Sequence, residues 1–231
     1  MAPLTGASRD EQVFVILARM GAVLVNFQPS LFDDGSTFAL SPIFPGEGRT
    51  LLCNDAWVEL HRDWVRGSDQ LFERLMETVP WKEERRRMYE RTLDVPRLVS
   101  FYGPGETLPD PALETIRRTL SNQYQPELGE PFCTAGLCLY RDGRDSVAWH
   151  GDRIGRSRTE DTMVAIVSLG VPRRFLLRPR GGGRSRQFEL GRGDLFIMGG
   201  SCQRTWEHSV PKIAHAKGPR MSVQFRPIGV R

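Results

Sequence analysis

The stretch Gln187-Phe188-Glu189-Leu190-Gly191-Arg192-Gly193-Asp194-Leu195-Phe196-Ile197-Met198-Gly199-Gly200 decides the reading of the fold. It holds two short β-rich segments, Gln187–Leu190 and Asp194–Met198, and ends on a Gly-Gly turn. The rhythm continues both ways. Upstream lie Cys133–Arg141, Met163–Gly170 and Arg174–Arg178, with turns at Asp142-Gly143 and Gly181-Gly182-Gly183; downstream lies Met221–Phe225. Short strands, Gly-rich turns and few helices predict a sandwich or barrel rather than alternating βαβ units.

Helices belong to the earlier part of the chain. Asp110 is a good N-cap, Pro111 takes the first helical position, and Leu113, Ile116 and Leu120 form a buried stripe. A second helix is predicted over Ser68–Val79, with Leu71, Phe72, Leu75 and Met76 on one face. The run Lys82–Arg91 reads as a solvated charged face. The chain changes character near residue 96. Before it lie Pro- and Gly-punctuated segments such as Gln28-Pro29-Ser30.

With 231 residues, 39% hydrophobic and 26% charged, the chain is neither a disordered polymer, a fibre nor a polytopic membrane protein. A net charge of +4 permits a polyanionic partner without requiring one. Three lysines stand against 29 arginines. A GC-rich genome gives such a bias, and guanidinium forks also suit phosphates and carboxylates. Four cysteines show no tight metal spacing and fit a reducing compartment. The longest apolar stretch, Val13 to Val25, is interrupted by Arg19 and falls short of the roughly 20 residues that span a bilayer. The reading is a cytoplasmic protein without membrane attachment.

Only four histidines occur, so their placement is informative. His150-Gly151-Asp152 would aim an imidazole and a carboxylate at one side of an extended chain. Alone, the pair fits a histidine hydrogen-bonded to an acid equally well. His208 follows in Trp206-Glu207-His208-Ser209. Two histidines and a carboxylate make the facial triad of non-haem Fe(II). On Arg220-Met221-Ser222-Val223-Gln224-Phe225-Arg226 the polar residues alternate onto one strand face. Inward arginines are costly unless they hold anions, and a dicarboxylate cosubstrate would supply them; an edge strand with solvent-facing arginines is the other reading.

The order H-x-D, distant His, Arg-x5-Arg resembles the AlkB family of Fe(II)- and 2-oxoglutarate-dependent dioxygenases. Pro96-Arg97-Leu98 through Phe101-Tyr102-Gly103 is similar to the family's entry into its catalytic domain. Tyr140 through Asp145 followed by Trp149-His150-Gly151-Asp152 resembles its metal block, and Trp206 through Pro211 its distal-histidine block. The resemblance implies a mainly β fold with flanking helices: a double-stranded β-helix, jelly-roll or cupin-like, with an N-terminal recognition lid. It implies a lid over residues 20–95, a dioxygenase domain over 96–231, and residues 1–19 as an extension. It implies Fe(II) on His150, Asp152 and His208. Arg220 would take the distal carboxylate of 2-oxoglutarate, with Arg226 and Tyr140 near its other end. Cys138 stands where the family has asparagine, and Ser222 and Gln224 replace two further polar residues of the last strand. The acidic residues that follow the H-x-D in many members are here Arg153, Ile154, Gly155 and Arg156.

The implied reaction uses O2 and 2-oxoglutarate to demethylate an N-alkylated base in DNA, releasing succinate and formaldehyde. Such a base must leave the stack. Tyr102 and Phe101 are candidate platforms, with Trp57 and Trp64 behind them and Trp149 and Arg153 as further contacts. Between Arg153 and Arg192, ten arginines face three acids, a net +7 that could form a phosphate track. RNA, or a protein or small-molecule substrate, remains an alternative, as does a catalytically silent nucleic-acid-binding barrel. A monomer is the usual state for such a resemblance.

Overall fold

The computed structural model describes residues 12–18, 21–27, 37–44, 46–88 and 91–230, with the backbone alone for 12–18, 21–27, 84–88 and 91–95. Residues 1–11 of the implied N-terminal extension, and the segment 28–36 with its Gln28-Pro29-Ser30, lie outside the described residues. The N-terminal strands are β1 (Gln12–Ala18), β2 (Gly21–Phe27), β3 (Ala39–Leu40), β4 (Arg49–Leu51), β5 (Ala56–His61) and β6 (Val65–Arg66). Helix α1 (Ser68–Thr78), β7 (Lys82–Met88), β8 (Arg91–Tyr102) and helix α2 (Pro111–Leu128) follow. Then come β9 (Thr134–Tyr140), β10 (Val147–His150), β11 (Val164–Gly170), β12 (Arg173–Pro179), β13 (Arg186–Leu190) and β14 (Asp194–Gly200). The chain closes with the short helix α3 (Cys202–Thr205), β15 (Trp206–Val210) and β16 (Arg220–Arg226).

Two antiparallel sheets carry the architecture. The large one runs β4-β5-β14-β11-β16-β9-β8-β7 and the small one β10-β15-β12-β13. This is the double-stranded β-helix, mainly β with flanking helices. Side-chain alternation gives each large-sheet strand two faces. One face carries Leu137 and Leu139 of β9, Ala165, Val167 and Leu169 of β11, and Met221, Val223 and Phe225 of β16. It packs on Leu71, Phe72 and Leu75 of α1 and Leu113, Ile116 and Leu120 of α2. The other face meets the small sheet: Val164, Ile166, Phe196 and Met198 pack with Phe175, Leu177, Leu190 and Val210.

The cap expected for α2 is present: the Asp110 carboxylate accepts the Ala112 N–H at 2.8 Å. Its other oxygen accepts Arg74 Nε at 2.7 Å, joining the start of α2 to α1. The charged run beginning at Lys82 is not merely a solvated face; it forms β7 at the rim of the large sheet. An edge strand uses only one side of its backbone ladder, so charges there resist further pairing. Residue 96, where the sequence changes character, falls inside β8, and β5 hydrogen-bonds to β14 within the same sheet. Trp57 and Trp64, expected behind the base platform, are core residues on the helix-covered side. No described helix is long and apolar enough to cross a membrane.

Candidate metal centre

Strands β10 and β15 are neighbours, and their register sets His150 directly opposite His208. Their imidazole centroids are 4.2 Å apart. Asp152 stands just past the end of β10 rather than within it. Even so, one donor atom from each of His150, Asp152 and His208 lies within 4.8 Å of the others. Gly151 makes this turn possible. A Cβ there would meet the Gln203 carbonyl oxygen at 2.9 Å and the Trp206 carbonyl oxygen at 3.2 Å.

Each ligand is held from behind. His150 Nδ1 donates to the Ala148 carbonyl at 2.8 Å, which leaves Nε2 as the free lone pair. His208 stacks on Phe175 with centroids 5.3 Å apart. The Asp152 backbone N–H donates to Gln203 Oε1 at 3.0 Å, and its Oδ2 accepts Arg226 Nε at 2.7 Å. Burial lowers the His150 pKa, and burial with the His150 charge pushes His208 down to about 3. Burial alone would raise Asp152. Arg226 and the two histidines outweigh it and hold the carboxyl well below its ordinary range. Neutral imidazoles and an ionised carboxylate are the states that bind a divalent metal. Two histidines and a carboxylate on one side leave three open positions, which suits Fe(II).

Arg220 provides a second test of what this space holds. Only 1% exposed, it donates from Nη2 to Ser168 Oγ at 2.7 Å, while its Nε has no hydrogen-bond partner. No carboxylate pairs with it among the described residues. Burial lowers its pKa, as expected of a desolvated cation awaiting an anion. Its guanidinium carbon lies 5.4 Å from the centroid of the Tyr140 ring, whose hydroxyl burial pushes up to about 12. Farther along β16, the Gln224 amide donates to the Ser222 carbonyl at 3.1 Å and to the Ser222 hydroxyl, and Cys138 Sγ lies 3.9 Å from Gln224 Oε1. A dicarboxylate fits this donor set.

His150, Asp152, His208, Arg226, Tyr140, Arg220, Ser222 and Cys138 thus line one space between the sheets. Phe101 shares that face, opposite Gly136 and 45% exposed. Tyr102 does not. Alternation along β8 turns it to the helix-covered core, where its hydroxyl is buried without a hydrogen-bond partner. Trp149 likewise alternates away from His150 and stacks under Arg178 at 4.1 Å. Arg153 is exposed beyond Asp152. The arginine-rich segment is not a single track. Arg173 is internal, Arg178 and Arg180 share Glu207, and Arg156 pairs with Glu130.

Sequence reading missed two supports. Arg173 donates to the carbonyls of Asp142, Asp145 and Pro211, tying together the segments that precede His150 and follow His208. Gln203 holds the Asp152 backbone from α3. Neither has a sequence signal, since both act through backbone atoms brought close only by folding.

A profile of the 2OG-Fe(II) oxygenase superfamily matches residues 62–226. The chain is 30% identical over 220 residues to alpha-ketoglutarate-dependent dioxygenase alkB homolog 3 of Bos taurus, covering 87% of this chain and 73% of that protein. It is 26% identical over 219 residues to the DNA oxidative demethylase ALKBH2 of Arabidopsis thaliana, covering 78% and 67% respectively. Among solved structures, OsALKBH1 superposes with a TM-score of 0.55 at 17% identity, over 74% of this chain and 97% of that one, a likeness of fold.

Proposed function

The chain belongs to the 2OG-Fe(II) oxygenase superfamily and, within it, to the AlkB homologues, and from that premise we propose that it oxidatively demethylates N-alkylated nucleobases in DNA. The observation that carries this reading is the buried Arg220 guanidinium, unpaired with any described carboxylate, in the same space as the triad.

His150, Asp152 and His208 would hold iron. Arg220 would meet the far carboxylate of 2-oxoglutarate, with Tyr140 beside it. When bound, iron and 2-oxoglutarate supply the oxidation: one atom of O2 enters succinate as carbon dioxide leaves, and the other enters the N-methyl group as a hydroxymethyl lost as formaldehyde. Arg226 keeps Asp152 ionised and aimed. Phe175 and its apolar neighbours exclude water from the interior side. Phe101 offers a π-face to an extruded base, an interaction worth about 1–3 kcal/mol. The exposed Arg153, Arg158, Arg184 and Arg186 suit phosphate contacts.

The test is a substrate panel with Fe(II), ascorbate and 2-oxoglutarate. Formaldehyde and succinate should form together on methylated DNA. Release from RNA alone would move the substrate, and release from no nucleic acid would discard the reading.

A further inference from the structure

A cleft of about 330 Å³ opens at the β7 rim of the large sheet. Lys82, Val99, Ser100, Phe101, Gly136, Leu137 and Cys138 line it. The register explains the set: Lys82 stands opposite Val99, Val99 opposite Cys138, and Phe101 opposite Gly136. Gly136 forms the floor, where a Cβ would meet Arg226 Nη1 and Gln224 Oε1 at 3.0 Å. Arg226 in turn grips Asp152 at 2.7 Å. The floor is therefore one side chain away from a metal ligand.

Among the described residues the charge of this cleft is one-sided: its lining holds one cationic residue, Lys82, and no acid. Described acids on neighbouring segments are engaged elsewhere: Glu83 with Arg141, Glu106 with the Gly103 N–H, and Glu130 with Arg156. The positions after Asp152 add none, being Arg153, Ile154, Gly155 and Arg156, and Ile154 is 67% exposed. Deeper in, Arg220 and Arg226 outnumber Asp152. Divalent iron and dianionic 2-oxoglutarate cancel each other, so loading leaves that excess in place.

N-methylated bases fall into two electrostatic classes. Methylation of a lactam nitrogen, as at N3 of thymine or N1 of guanine, gives a neutral base with a carbonyl beside the methyl group. Methylation of an imine-type nitrogen, as at N1 of adenine or N3 of cytosine, gives a cation whose exocyclic amine is a donor. Resting on the demethylase reading above, we infer that the Lys82 cleft selects neutral, carbonyl-bearing N-methylated bases over cationic ones. The Lys82 ammonium donates to a ring carbonyl, and it repels a cationic ring that finds no acceptor carboxylate among the described lining residues. Phe101 stacks on either class and does not discriminate.

The test uses four otherwise identical single-stranded oligonucleotides bearing N3-methylthymine, N1-methylguanine, N1-methyladenine or N3-methylcytosine. Equilibrium binding and formaldehyde release are measured for the full chain and for Lys82→Gln and Lys82→Glu, both on an exposed edge strand. The unsubstituted protein should favour the neutral pair by about fivefold or more, the scale of one unit charge a few ångströms away in bulk water. Lys82→Gln should narrow that ratio and Lys82→Glu reverse it. A preference for the cationic pair, or a ratio indifferent to residue 82, overturns the inference. Should no oligonucleotide release formaldehyde, the demethylase reading fails, and the binding ratio alone decides the selectivity of the cleft.

Discussion

On β16, Met221, Val223 and Phe225 turn toward α1 and α2, while Arg220, Ser222, Gln224 and Arg226 turn toward the small sheet. Neighbouring residues of one strand therefore serve different ends. The first face buries hydrocarbon against helices and stabilises the fold by roughly 25 cal/mol per Å² removed from water. The second buries polar groups, which costs free energy unless each finds a partner. Arg226 finds Asp152, whereas Arg220 keeps an unpartnered Nε. An inward face built this way is arranged for a ligand rather than for the apo fold.

Substitutions on the two faces should therefore separate activity from stability. The largest effect is expected for Asp152→Ala. It removes a ligand and strands Arg226, so iron binding and formaldehyde release should both vanish; retained iron at full occupancy would remove Asp152 from the metal set. Next comes Phe225→Ala on the helix-covered face. Deleting a fully buried phenyl should cost about 3–5 kcal/mol in urea denaturation, while the KM for 2-oxoglutarate of the folded enzyme stays as it was.

Arg220→Met sharpens the contrast from the other side. Losing one partner of a buried charge pair costs about 2–5 kcal/mol, which would raise the KM for 2-oxoglutarate by roughly two orders of magnitude. The apo protein should keep or raise its thermal midpoint, because an apolar chain replaces a desolvated cation. A marked fall in the apo midpoint would break the comparison by making Arg220 part of the fold. The smallest effect is expected for Gln203→Ala. Loosening the Asp152 backbone should weaken iron affinity by about tenfold, read by metal titration, with little change in the KM for 2-oxoglutarate.

Much of this was legible locally. The α2 cap, the β-rich segments and the alternation on β16 follow from the chain's own periodicity; β12, β13, β14 and β16 extend the expected strands by a residue or two at one or both ends, while β9 and β11 are slightly shorter. The His150, Asp152 and His208 set was legible because histidine is scarce and the order is distinctive. Tyr102 and Phe101 show where reading stopped. Adjacent aromatics on a strand must face opposite ways, but which one faces the metal depends on the register of β8 against β9. The charged β7 gave no strand signal because its place at the sheet rim, not its own pattern, makes its composition tolerable.

By itself the sequence determined the mainly β class, the start of α2, the position of α1 and the candidate metal-binding groups, since these depend on side-chain chemistry and short-range periodicity. Tertiary structure alone decided that Arg226 grips Asp152 across 74 residues, that Arg173 and Gln203 brace the segments carrying the ligands, and that Lys82 and Phe101 border one cleft. Those relations depend on which strands lie side by side and in what register. Long-range pairing sets both, and no local stretch of chain encodes it.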